Sequence, residues 1–196
     1  MTTRAASSGE SRLDGFRVVL VMAGALWVVE IVDTVMGHRL DRYGIEPRDT
    51  DGLIGIATAP LLHAGFGHLI SNTVPFLVMG LAIALRGAAR VVAVTLIVMV
   101  ISGLGTWIFA SPGTIHIGAS GVVFGYATYL LAQGFFERDL VGIAIGVVIG
   151  LIWGTALLGG LLPQPGISWQ GHLFGAIGGV VAARMLSRPR RSAAVA

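Results

Sequence analysis

A serine and a histidine that lie far apart in the chain could together form a nucleophilic site. Ser120 stands in the segment Gly118-Ala119-Ser120-Gly121, and His172 follows Trp169-Gln170-Gly171. A serine hydroxyl is a weak nucleophile until a neighbouring base accepts its proton, and a neutral imidazole can be that base. A triad would add a carboxylate behind the histidine. The acids within apolar stretches, Glu30 and Asp33, both lie on the first stretch. We therefore expect a Ser–His dyad.

A second pair of polar residues could stabilise the negative charge that forms during cleavage of an amide or ester. His68 and Asn72 are four residues apart, so on a helix they lie on one face. The backbone N–H of Ser120 is a further donor, because N–H groups in the first turn of a helix lack intrahelical partners. The sequence thus predicts an oxyanion site made of Ser120, His68 and Asn72.

Glycines are spaced so that two of the helices could approach closely. Gly121 and Gly125 form one small-residue stripe, and Gly171, Gly175 and Gly179 form another. A hydrogen bond between a hydroxyl on one helix and an imidazole on the next requires such an approach. The chain has 29 glycines in 196 residues, about twice the usual share of ~7%.

The composition places these residues in a membrane protein. Hydrophobic residues make up 55% of the chain, charged residues only 12%, and the mean hydropathy is +0.84. These values exclude a soluble domain with a charged surface and a disordered chain. There is no cysteine, which excludes disulfides, thiolate nucleophiles and cysteine-ligated metals. The basic residues are all arginines beside apolar runs, so bilayer orientation explains them better than nucleic-acid binding.

Apolar stretches of about 20 residues predict the membrane-spanning helices. Six stretches qualify, at 16–37, 59–85, 91–110, 117–136, 140–162 and 167–186. The fold predicted is all-α, a polytopic bundle of six transmembrane helices. Residues 1–15 are expected to form an N-terminal cytoplasmic tail, 16–187 the membrane domain and 188–196 a C-terminal cytoplasmic tail.

The distribution of arginines predicts the orientation in the plasma membrane. With a cytoplasmic N-terminus, ten arginines fall on the cytoplasmic side, and only Arg39, Arg42 and Arg48 fall outside. Both termini are then cytoplasmic. The second, fourth and sixth spans all run inward. Each has a cluster of polar residues in its outer half, at 63–72, 118–125 and 169–175. Three clusters at a similar depth indicate one site open to the outer side. Glu30 and Asp33 are expected to be solvated at the interface.

The motifs resemble those of the rhomboid family of intramembrane serine proteases. That family has His-x-x-x-Asn on its second core helix, Gly-x-Ser-Gly opening the fourth, and a histidine followed by spaced small residues on the sixth. This chain has His68–Asn72, the segment 118–121, and His172 with Gly175. The order and the helix assignment match, and the resemblance covers about residues 16–187.

The resemblance implies a set of roles. Ser120 would be the nucleophile, and His172 the general base and then the acid. The N–H of Ser120, His68 and Asn72 would form the oxyanion site, with no metal or cofactor. His63 matches a second histidine often found before the His-x-x-x-Asn motif, and we expect a supporting hydrogen bond from it. Substrates would be transmembrane segments of other proteins, cut near the outer face of the bilayer.

Two positions depart from the family pattern. Phe124, one turn after the serine, is often tyrosine in the family, but a ring stacked under the imidazole does not need the hydroxyl. The Trp-Arg pair typical of the first outer loop is missing, and Arg39, Arg42 and Tyr43 are the nearest equivalents.

Two other functions remain open from the sequence. One is a catalytically inactive relative that only binds membrane proteins, although such a protein would be expected to lose the serine or the histidine. The other is a small transporter that uses the same polar residues. A transporter predicts polar residues continuing inward, whereas residues 76–85 and 176–183 are apolar.

Overall fold

The chain folds into a bundle of α-helices. The computed structural model describes residues 3–187, with side chains for residues 12–187. The α-helices are α1 (Thr3–Val35), α2 (Gly55–Thr58), α3 (Phe66–Ala84), α4 (Ala88–Phe109), α5 (Ser120–Glu137), α6 (Leu140–Gly160) and α7 (Trp169–Leu186). Within the described residues there is no strand, and a single β-bridge pairs Ile45 with His116. The all-α prediction is therefore confirmed.

Among residues 3–187, four helices are long and apolar enough to cross a membrane: α1 over Arg12–Val35, α3, α4 and α6. The other two long helices, α5 and α7, have 18 residues each and carry more glycine and polar residues. They pack mainly against each other, and α7 also packs along α4. The sequence predicted six spans. Four helices meet the requirement by length and hydropathy, and the crossing of α5 and α7 stays a prediction.

The helix of the second apolar stretch begins at Phe66 and not at residue 59. Ala59–Leu61 form a 3₁₀ turn that contains Pro60, and Leu62 is extended. Gly65 then has φ +109°, a conformation that glycine adopts easily. These three features turn the chain, so His63 lies in a loop before α3 and not on the helix.

The structure describes most of the N-terminal segment and none of the predicted C-terminal tail. Helix α1 begins at Thr3 and continues without a break into the apolar stretch, so residues 3–15 are helical. The predicted C-terminal tail, 188–196, and the first two residues lie outside the described part of the chain.

Glu30 and Asp33 are buried, with 0% and 1% of their surface exposed. The expectation that they are solvated at the interface was wrong. The chain after α1 folds back over them, and the backbone N–H of Leu40 donates to Asp33 Oδ1 at 2.7 Å. This return of the loop is a tertiary contact that hydropathy along α1 does not reveal.

Candidate active site

Ser120 and His172 are brought together where α5 and α7 begin. Ser120 is the first residue of α5, and His172 is the fourth residue of α7. His172 Nε2 lies 2.8 Å from Ser120 Oγ. On the other side of the ring, Nδ1 lies 2.7 Å from the carbonyl oxygen of Gly160. A carbonyl oxygen only accepts, so Nδ1 carries the proton and Nε2 is free to accept from the serine hydroxyl.

Small residues allow the two helices to come this close. A Cβ added at Gly175 would meet the backbone carbonyl oxygen of Gly121 on the facing helix. Near the same level, Ser102 of α4 donates to the carbonyl oxygen of Gly171 at 2.8 Å. The glycine stripes predicted from the sequence are in contact with each other. Ser102 was not singled out from the sequence, although it is a polar residue in an apolar stretch.

The ring of Phe124 stacks against the imidazole of His172 and holds its plane. Its centroid lies 4.2 Å from that of the His172 ring, and the two planes differ by 6°. Gly160 closes the edge of this stack, since a Cβ there would lie 2.7 Å from Phe124 Cζ and 3.0 Å from His172 Nδ1. A phenyl ring is sufficient for this stacking contact, as expected from the sequence, and no tyrosine hydroxyl is needed at position 124.

For the predicted role of His172 as general base, replacing Phe124 by leucine is expected to lower kcat about tenfold with little change in KM. The imidazole would lose its flat support, and small misplacements of a reacting group are costly. Steady-state kinetics on a fluorogenic transmembrane peptide measure both constants. Phe135→Leu is the matched control, because Phe135 is on the same helix and 73% exposed. A change in KM alone would show that Phe124 contacts substrate and does not position His172.

His68 and Asn72 face the glycine that precedes the serine segment. A Cβ added at Gly118 would lie 2.9 Å from His68 Nε2 and 3.8 Å from Asn72 Nδ2. Gly118 has φ +115°, a conformation that favours glycine. The backbone conformation and the nearby His68 side chain therefore both favour glycine at this position. Asn72 is 5% exposed, and its Nδ2 donates to the carbonyl oxygen of His68 at 3.1 Å, which uses one of its two N–H groups.

His63 is fully buried beneath this segment. Its Nε2 accepts a hydrogen bond from the backbone N–H of Ala119 at 3.3 Å. Its ring also meets the His68 ring edge-on, with centroids 5.1 Å apart. His63 thus contacts the chain next to Ser120 and a side chain of the predicted oxyanion site. Its supporting role in catalysis stays a prediction.

A cavity of about 590 Å3 joins the predicted site residues. Its wall includes His68, Asn72, Ser120 and His172. This is where an extended peptide could reach both the serine hydroxyl and the predicted oxyanion donors.

The cavity wall also contains a residue whose place the sequence did not reveal. His116 pairs with Ile45 through the backbone. Its side chain also lines the cavity, with Nδ1 2.7 Å from Ser168 Oγ and Nε2 2.9 Å from Thr114 Oγ1. Burial lowers the pKa of His116, so the ring is neutral at pH 7. Its position four residues before Ser120 was the available signal.

Comparison with known proteins identifies the family of this chain. Residues 50–189 match the family model of the rhomboid domain. An uncharacterized protein of Mycobacterium tuberculosis is 46% identical over 187 residues, covering 91% of this chain and 78% of the relative. YdcA of Bacillus subtilis, named provisionally as a rhomboid protease, is 30% identical over 171 residues, covering 82% of each chain. The rhomboid protease GluP of the same organism is 28% identical over 145 residues, 70% of this chain and 27% of GluP. Together with its four apolar helices, the match over residues 50–189 shows that the chain is a multi-pass membrane protein of the rhomboid family.

Proposed function

We propose that the protein is an intramembrane serine endopeptidase that uses Ser120 and His172 as a dyad. The observation that carries the proposal is the 2.8 Å contact between His172 Nε2 and Ser120 Oγ, with Nδ1 bonded to the Gly160 carbonyl. That carbonyl occupies the place of the carboxylate in a triad and holds the imidazole in the tautomer a base requires. Membership of the rhomboid family supports the same activity.

The reaction follows from this arrangement. Ser120 Oγ attacks the carbonyl carbon of the substrate peptide bond while its proton moves to His172 Nε2. The tetrahedral intermediate then collapses, the C–N bond breaks, and the Nε2 proton passes to the leaving amine. Water, deprotonated by His172, hydrolyses the acyl-enzyme ester and releases the second product with Ser120 restored.

Three donors would stabilise the oxyanion of each tetrahedral intermediate. The backbone N–H of Ser120 lies in the first turn of α5, where no intrahelical acceptor is available. His68 and Asn72 face Gly118, two residues before Ser120, and line the same cavity as Ser120. Donors fixed in advance are effective because they need no reorganisation as the charge develops.

Replacing His68 or Asn72 by alanine is expected to reduce kcat by about 10²- to 10³-fold each, with a much smaller change in KM. The loss is mainly in kcat because the oxyanion exists only in the transition state and the intermediates. Initial rates with a transmembrane peptide give both constants. Ile70→Ala is the control, since Ile70 is on the same helix and 51% exposed. Equal losses in Ile70→Ala and Asn72→Ala would contradict the oxyanion role.

The apolar core beneath the site supports a protease over a transporter. Phe76, Met79 and Ile83 of α3 continue below Asn72 and are 2% exposed or less. They pack in one core with Val98 and Tyr126. Such packing favours a site that is reached from one side. An inactive relative would not need to retain both the serine and the histidine at hydrogen-bonding distance.

The proposal also includes the setting of the reaction. Transmembrane segments of other proteins are the proposed substrates, and the plasma membrane is the proposed location. The arginine distribution supports cytoplasmic termini and a cavity that opens toward the outer side.

A serine-directed fluorophosphonate tests the proposal on the purified protein in detergent. We expect wild-type protein to cleave a fluorogenic transmembrane peptide and to lose this activity as one phosphonate attaches per chain. Mass spectrometry should locate the adduct on Ser120. An adduct on another serine with loss of activity would assign a different nucleophile. Absence of both cleavage and labelling across several peptides would favour the inactive-relative or transporter function.

A further inference from the structure

Three carboxylates converge where α1 ends, outside the catalytic site. Glu30 and Asp33 lie on the last turns of α1, and Asp41 begins the 3₁₀ turn Asp41–Tyr43 that folds back over them. One histidine, His38, stands between the helix and the turn. Its Nδ1 is 3.7 Å from Asp33 Oδ2 and 4.0 Å from Asp41 Oδ2.

The negative charge of this cluster is poorly compensated. Within the described part of the chain, the only ion-pair partner of Asp33 or Asp41 is His38. Buried carboxylates normally have a cation or several donors beside them.

Several buried carboxylate oxygens of this cluster have no hydrogen-bond partner among the described residues. Five buried side-chain polar atoms lack a hydrogen-bond partner among residues 12–187. Three of the five belong to this cluster: Glu30 Oε2, Asp33 Oδ2 and Asp41 Oδ1. Asp33 is 1% exposed, and its orphaned Oδ2 is the atom that faces His38. Buried carboxylate oxygens without donors are the arrangement expected around a bound cation.

We propose that Asp33, His38 and Asp41 bind a divalent transition-metal ion of the zinc class. One possible ligand atom from each of the three residues lies within 4.8 Å of the other two. In a tetrahedral site, ligand atoms that each lie about 2.0–2.2 Å from zinc are about 3.3–3.6 Å apart. The separations of 3.7 and 4.0 Å to His38 are slightly longer, so small side-chain rotations would bring these ligands onto one ion.

The imidazole selects the metal class. Calcium and magnesium take oxygen ligands, whereas zinc accepts imidazole together with carboxylates. His38 is 44% exposed, which gives an ion a path from solvent, while Asp33 is buried and held at Oδ1 by the Leu40 N–H. A bound ion would tie the end of α1 to the loop that continues into Ile45, which pairs with His116 at the cavity wall.

Zinc binding can be tested independently of protease activity on the full chain, purified in detergent and stripped with a chelator. We expect one zinc per chain after titration and desalting at pH 7.4. We also expect the thermal midpoint to rise by about 5 °C when free zinc is 100-fold above Kd. Cobalt should give the visible absorption of a metal bound by nitrogen and oxygen ligands.

Substitutions at the proposed ligands test which residues bind the zinc. His38→Asn keeps a residue that tolerates the φ of +58° at this position but removes the imidazole. It should lose the bound zinc, the cobalt spectrum and the thermal shift. Asp33→Asn should lose them too, and each metal-free variant is first compared with metal-free wild type to establish folding. Asp51→Asn, an exposed acid of the same loop, should keep all three.

Several results would overturn the proposal. These are no zinc binding by wild-type protein, zinc retained by both His38→Asn and Asp33→Asn, or zinc lost from His68→Ala, which would place the ion at the active-site histidines. Equal stabilisation by calcium would overturn the assignment to the zinc class. Because none of these measurements uses peptide cleavage, the result does not depend on the proposed protease activity.

Discussion

Replacing Ser120 by alanine is expected to abolish cleavage of a transmembrane peptide, with a fall in kcat of about 10⁴-fold or more. The substitution removes the oxygen of the proposed nucleophile and one hydrogen bond, the 2.8 Å contact with His172 Nε2. Ser120 is only partly buried, so the thermal midpoint should change by no more than a few degrees. Initial rates and thermal unfolding of the same preparations give the two quantities.

Two further variants complete this test. His172→Ala should fall to the same background, and the double variant should be no lower, because the two groups act as a unit. Ser111→Ala is the matched control, since Ser111 lies in the exposed loop before α5 and should keep full activity. Residual cleavage above about 1% in folded Ser120→Ala protein would remove Ser120 from the mechanism.

The second large effect is expected from Gly175→Ala, which changes no reacting group. The added methyl would meet the Gly121 carbonyl oxygen, so α5 and α7 must move apart. Overpacking of this kind costs about 1–3 kcal/mol, and each kcal/mol lowers the thermal midpoint of a chain of this size by roughly 2–4 °C. A shift of even 1 Å would break the Ser120–His172 contact, so we also expect about a 100-fold loss of kcat.

Gly154→Ala is the matched control for this variant. Gly154 lies in α6, and a Cβ there would meet no atom within 4 Å. Alanine is a better helix former than glycine, so this variant should be as stable as wild type or more stable, with unchanged activity. If Gly175→Ala behaves like Gly154→Ala, then close contact between α5 and α7 is not what holds the dyad.

The sequence by itself determined the kind of protein and the residues of interest. Long apolar runs could only be helices, because the bilayer requires every backbone N–H and C=O to be satisfied within the segment. His68 and Asn72 share a helix face by their spacing alone. His172 was a candidate because an imidazole is rare in an apolar stretch, and Ser120 because its hydroxyl could give its proton to such a base.

Only the tertiary structure decided how these residues meet and what else surrounds them. The carbonyl that orients His172 belongs to Gly160 at the end of α6, and no local pattern marks one backbone carbonyl among many. The loop that places His63 under Ala119 depends on a turn at Gly65. Glu30 and Asp33 are buried because a later segment folds over them. Periodicity reports which face of an element is apolar, whereas these contacts join separate elements and depend on how those elements pack.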